Sequence, residues 1–174
     1  MALSRSDFHD LIDEHAPALY RLAYRLVGDG HEAEDIVQET LRSAWSSRER
    51  FDQARLGAAG SGCRAWLASI LRRRVVDRWR RAKRRPPAAG DHVLDVPVEA
   101  ADPLANEYTD EMQAALGQLS PELRESLLLV VVGELTHQQA ADSLGVPLGT
   151  VLSRVSRARR RLRQHLLAMT KGSA

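Results

Sequence analysis

Apolar residues recur along this chain at the spacing of helices. Over 7–27, Phe8, Leu11, Ile12, Leu19, Leu22, Ala23 and Leu26 fall on one side of a helix at about 100° per residue, with Gly28 and Gly30 placed to end it. A second helix over 32–45 buries Ala33, Ile36, Val37, Thr40, Leu41 and Ala44 and turns Glu34, Asp35, Gln38, Glu39 and Arg42 outward. A third, over 64–85, carries the i,i+4 ladder Leu67, Leu71, Val75, Trp79, supported by Trp66 and Ile70. Between the second and third, the Gly- and Ala-rich stretch 51–62 reads as a loop. Farther on, helices are expected over 110–119 and 121–132, the latter with Ser120 as its cap and Pro121 at its first position. The apolar run Leu127 to Val132 keeps a helical register, so no strand is expected and the fold class is all-α.

The last third shows a short helix, a tight turn and a second helix studded with arginine. Thr136 and Gln139 have the spacing of a capping box. Gly145 suits the left-handed residue that ends a helix, and Pro147 presets the backbone for the next. In that next helix Val151, Val155, Ala158 and Leu162 stack on one side. Thr150, Ser153, Arg157 and Arg160 fall opposite, flanked by Arg154 and Arg161. One face is suited to burial and the other to phosphates and base edges. The bland alternative is a basic amphipathic helix with a solvated face, which does not explain the box, the glycine stop and the second helix together.

Composition adds little until charge is mapped along the chain. The 174 residues are 44% apolar and 5% aromatic, with a net charge of +2. That balance hides net −4 over 1–62, +9 over 63–85, −5 over 86–107, −5 over 108–146 and +7 over 147–174. Two basic blocks, each closing an acidic helical region, suggest two nucleic-acid contacts. Between them, 86–107 holds Pro86, Pro87, Pro97 and Pro103, five carboxylates and no Lys or Arg. Proline denies helix and like charges extend the chain, so this is an expected linker of at most about 70 Å. The domains are therefore expected at 1–85 and 108–174, the second a helix-turn-helix.

Chemistry of other kinds finds no support. Cys63 is the single cysteine, the six histidines lack ligand spacing, and Gly57 to Gly62 lacks the Lys-Ser/Thr ending of a phosphate loop. No nucleophile–base pair stands out. No catalytic residue, metal site, cofactor or small-molecule substrate is expected. Neither a signal peptide nor a membrane span is visible, so a soluble intracellular chain is expected. Trp66 and Trp79 suit stacking on unpaired bases, but an apolar ladder suits a core role too, for Trp66 above all.

Three motifs in order resemble those of bacterial sigma factors of the extracytoplasmic-function group in the sigma-70 family. Ala33-Glu34-Asp35-Ile36-Val37-Gln38-Glu39-Thr40 looks like the segment that grips core RNA polymerase; Arg64-Ala65-Trp66-Leu67, with Ile70, Arg72, Asp77, Arg80 and Arg81, looks like the helix that melts the promoter −10 element. Pro147-x-Gly149-Thr150-Val151-x-Ser153-Arg154-Val155-x-Arg157-Ala158-Arg159 looks like the helix that reads the −35 element. The resemblance covers 8–85 and 110–166. It implies Glu34, Asp35, Gln38 and Glu39 for polymerase binding and Arg72, Arg73, Asp77, Trp79, Arg80 and Arg81 for the −10 element. For the −35 element it implies Thr150, Ser153, Arg154, Arg157 and Arg160. It also implies a cytoplasmic protein with core polymerase, promoter DNA and an anti-sigma factor as partners. The chain departs from the pattern at Arg73 (usually Asn), Leu41 (often Phe), Leu152 (often Lys or Arg) and Gln139 (usually Glu), and its 52–62 loop is longer. On the residues alone, a dimeric helix-turn-helix regulator that binds an operator unaided stays open, as does an adaptor that binds only protein.

Overall fold

The computed structural model describes residues 5–50, 61–84 and 109–172. The expected linker 86–107 and most of the expected loop 51–62 lie outside them. Among the described residues the secondary structure is helical, in seven α-helices and one short 3-10 turn.

The first unit is a bundle of α1 (Arg5–Val27), α2 (Gly30–Ser47) and α3 (Ser61–Arg84). Helix α1 runs through Pro17, because burial of Leu11, Leu19, Leu22 and Leu26 along one stripe outweighs the backbone hydrogen bond that proline cannot make. Gly28, at φ +82°, ends α1 as expected, with its N–H bonded to the Tyr24 carbonyl at 2.7 Å. Gly30 does not end α1 but opens α2, whose cap is Asp29: its carboxylate accepts from the Glu32 N–H at 2.7 Å. Ala33, Ile36, Val37, Thr40 and Ala44 are buried in α2. Leu41 is only half-buried. The core face of α3 holds Leu67, Leu71 and Val75, each 0% exposed.

The second unit comprises α4 (Thr109–Gly117), α5 (Pro121–Val131), α6 (His137–Leu144) and α7 (Leu148–Gly172), with α7 packed against the other three. Ser120 occupies the cap position of α5 with Pro121 behind it, but its side chain makes no capping hydrogen bond, contrary to expectation. The run from Leu127 is helical to Val131, and Leu127, Leu128 and Leu129 are buried. At 25 residues α7 spans about 37 Å and carries the helix past Leu166 to Gly172.

The two units touch. Helix α1 packs on α5 and α3 packs on α6, and the buried apolar side chains of both units form one cluster.

Candidate functional site

The helix-turn-helix is assembled as its sequence predicts. The Thr136 hydroxyl accepts from the Gln139 N–H at 3.1 Å, and the Gln139 side chain accepts from the Thr136 N–H at 2.9 Å. Gly145 sits in the left-handed region at φ +66°. The Pro147 carbonyl then accepts from the N–H of Thr150 at 2.9 Å and of Val151 at 3.3 Å, opening α7. Val151, Val155 and Ala158 are buried, and Leu162 is half-buried. Burial of that stripe leaves Ser153, Arg157 and Arg160 exposed, with Thr150 and Arg154 half-buried beside them. Arg157 donates through Nε to the Ser153 carbonyl at 3.2 Å and through Nη2 to the Ser153 hydroxyl at 3.3 Å. Its guanidinium is thus held along the helix surface.

The basic residues of α3 divide by face. Arg74 donates to the Ser43 hydroxyl at 2.6 Å, and Arg78 pairs with Glu32 at 2.8 Å and Asp35 at 3.6 Å, so these two tie α3 to α2. Arg73 and Arg80, two turns apart, share an exposed face, and Arg81 is exposed as well. Arg72 and Trp79, also two turns apart, share the adjoining flank, with Asp77 half-buried on the same helix. That flank is covered by the second unit. The six residues implied for the −10 element are therefore not equally open.

Polar contacts join the two units, most of them on α3. Arg72 Nε lies 2.8 Å from the Glu125 carboxylate, an ion pair across the two units. Arg72 Nη1 donates to the Ser143 carbonyl at 3.2 Å. The Arg124 guanidinium stands 5.6 Å from the centre of the Trp79 ring, within cation–π range. At the start of α3, Arg64 pairs with Glu134, a residue at φ +53°. The Gln113 side chain donates to the Arg25 carbonyl at 3.3 Å. Glu125 is 8% exposed; burial pushes its carboxyl above the usual range, against the pull of the Arg72 cation.

Sequence reading missed Arg124, Glu125, Ser143 and Glu134. A signal was there: Arg124, Glu125 and Ser126 stand between Leu123 and the apolar run from Leu127 to Val132, and Arg124 is the one Lys or Arg of 108–146. Charges on a helix this apolar need partners from elsewhere in the fold when they are buried.

On α2, Glu34, Asp35 and Gln38 are exposed and Glu39 is half-buried, along one side of the helix. Gln38 accepts from Arg42 at 3.4 Å. Trp66 is half-buried against the core cluster and Cys63 is buried and unpaired in disulfide terms; burial pushes its thiol up. Among the described residues no group of three or more His, Cys, Asp or Glu is placed to hold a metal ion. None of the described helices is long and apolar enough to cross a membrane.

An all-α fold with a helix-turn-helix and a second arginine-rich helix defines a class of DNA-binding protein. The comparisons narrow it. The Sigma-70 region 2 family model matches residues 11–85, and the Sigma-70, region 4 model matches 109–162. The sigma factor SigE of Mycolicibacterium smegmatis is 36% identical over 90% of this chain and 60% of its own length. SigL of Mycobacterium tuberculosis is 36% identical over 88% of this chain and 85% of its own. In structure, the chain resembles the sigma factor RpoE of Bartonella quintana, solved in complex with the anti-sigma factor NepR, with TM-score 0.70 and 29% identity over 92% of this chain and 96% of that one. The chain belongs to the sigma-70 family, in its extracytoplasmic-function group of RNA polymerase sigma factors.

Proposed function

We propose that this chain binds core RNA polymerase, directs it to a promoter and helps open the duplex, with no catalytic chemistry of its own. One observation carries the reading. Two helices of one chain, α3 and α7, each bury an apolar stripe and present exposed arginines; α3 lies within one matched family region and the first 15 residues of α7 within the other. In this reading residues 1–85 form the unit for polymerase and the −10 element, 86–107 the linker, and 108–174 the unit for the −35 element.

Glu34, Asp35, Gln38 and Glu39 on α2 meet the polymerase. Arg72, Arg73, Asp77, Trp79, Arg80 and Arg81 meet the −10 element. Thr150, Ser153, Arg154, Arg157 and Arg160 meet the −35 element in the major groove, where polar side chains distinguish base pairs. Opening is driven by binding: capture of an unstacked base offsets an unpairing cost of a few kcal/mol. The protein works in the cytoplasm, and an anti-sigma factor is its regulator, a reading supported by the complex of the Bartonella sigma factor with NepR.

The test is binding to a promoter duplex with and without core polymerase. A sigma factor binds weakly alone and gains specificity with core. A chain that binds a palindromic duplex tightly by itself and ignores core is a dimeric regulator instead. In the same assay Asp35→Ala with Gln38→Ala weakens core association while the melting temperature holds. These side chains lie off the apolar stripe, and the surface pair of Asp35 with Arg78 is worth no more than about 1 kcal/mol.

A further inference from the structure

We propose that the second helical unit is a built-in cover for the nucleic-acid flank of α3, held there by α5 imitating the ligand it displaces. The proposal rests on the reading of α3 as a DNA face given above. Nucleic acid offers two things to such a flank: anionic oxygens for arginine and flat bases for an aromatic ring. On Arg72 the first role is filled by the Glu125 carboxylate at 2.8 Å and the Ser143 carbonyl at 3.2 Å. On Trp79 the second is filled by the planar Arg124 guanidinium at 5.6 Å. Arg124 and Glu125 are neighbours on one helix, so a single docking event satisfies both.

The rest of the interface has the same logic. Segment 108–146, net −5, carries the residues set against the net +9 segment 63–85, and the Arg64–Glu134 pair fixes the far end of α3. A contact made to stabilise the fold alone has no need of a buried carboxylate, since a buried ion pair is often no more stabilising than apolar residues of the same volume. It does give geometric specificity, and it gives a contact that a more highly charged competitor displaces. Arg72 cannot hold Glu125 and a phosphate at once. The covered and open forms are alternatives, and apparent affinity for single-stranded DNA is reduced by the fraction of chain that is covered.

The experiment uses the full chain and two variants, Glu125→Gln and Glu134→Gln, singly and together. Neither residue is assigned above to DNA or polymerase. Small-angle scattering gives the radius of gyration, and fluorescence anisotropy gives affinity for a labelled oligothymidylate. The double variant should be more expanded than wild type. It should bind the oligonucleotide at least about fivefold more tightly, the low end of coupling between linked sites. Adding Arg80→Ala and Arg81→Ala should remove the gain, which locates it on α3. Glu134 lies on an exposed turn, so its single variant carries the test if Glu125→Gln does not fold; circular dichroism decides this. Folded variants with unchanged size and unchanged affinity overturn the cover. Expansion with measurable but unaltered oligonucleotide binding overturns it too, leaving the α3 reading intact. Expansion with no binding by any form discards both.

Discussion

His15 shows how one buried polar residue sets a solution property. It lies in α1 at 3% exposure, and burial lowers its pKa, with the Arg64 charge adding to the shift and Glu14 opposing it. In the unfolded chain it titrates near about 6.5. Above that pH both states are neutral at this residue and stability does not depend on it. As pH falls from about 6.5 through the lower folded-state value, the unfolded chain takes the proton first and stability falls. Denaturant melts of wild type and His15→Gln between neutral and mildly acidic pH should therefore diverge, wild type losing stability faster. Parallel curves would show that His15 keeps an ordinary titration. The contribution of Glu125, whose shift is upward, cancels in this comparison because both proteins carry it.

At the scale of elements, the caps separate what local sequence dictates from what it only suggests. Thr136 and Ser120 are both hydroxyl residues at helix starts, but only Thr136 is followed three residues on by a Gln that can complete a box. Thr136 takes part in a reciprocal pair of hydrogen bonds with Gln139, whereas the Ser120 side chain makes no capping hydrogen bond and Pro121 presets α5. Thr136→Ala should cost about 1 kcal/mol in urea unfolding, and Ser120→Ala no more than a few tenths. Equal losses would show that the cap geometry does not govern either helix. The apolar stripes of α1, α2, α3 and α7 were legible because each has a helical period and a buried target. The boundaries were less so. Helix α1 passes Pro17 as its stripe implied, but Gly30 begins a helix instead of ending one, and α3 starts at Ser61, inside the expected loop. At Pro17 packing on neighbouring helices outweighs a local signal worth only a few kcal/mol, whereas at Gly30 another local signal, the Asp29 cap, decides.

At the scale of the whole molecule, the sequence announces two helical units and two basic faces but not how the units meet. Periodicity within a helix says which side is buried, not against which partner, and the pairs Arg72–Glu125 and Arg64–Glu134 join residues far apart in the chain. The helix-turn-helix that carries Ser153 and Arg157 was legible, since the cap and stop of α6 and the stripe of α7 are all local, though the run of α7 past Leu166 was not. The division of labour between the two faces gives a further expectation. Arg157→Ala should weaken polymerase-dependent promoter binding by about 1–3 kcal/mol if it reads a base, and the loss should vanish on a template lacking the upstream element. Arg80→Ala with Arg81→Ala should instead impair opening on duplex templates and be partly rescued by a premelted −10 region. Permanganate reactivity of thymines separates the two. Equal loss on every template, with no difference in opening, would refute the division.

The double engagement of Arg72 has a consequence for genetics. A substitution there removes a charge that the proposed open form offers to DNA and, in the same stroke, releases the carboxylate that holds the chain shut. The two effects push activity in opposite directions, so an Arg72→Ala strain can look nearly normal although both interactions are lost. Its importance then surfaces only in combination. With Glu125 already changed to Gln, the release has been spent, and Arg72→Ala shows its deficit undisguised. Suppressor mutations of weak α3 alleles should accordingly arise on α5 and on the turn at Glu134, far away in sequence from the helix they repair.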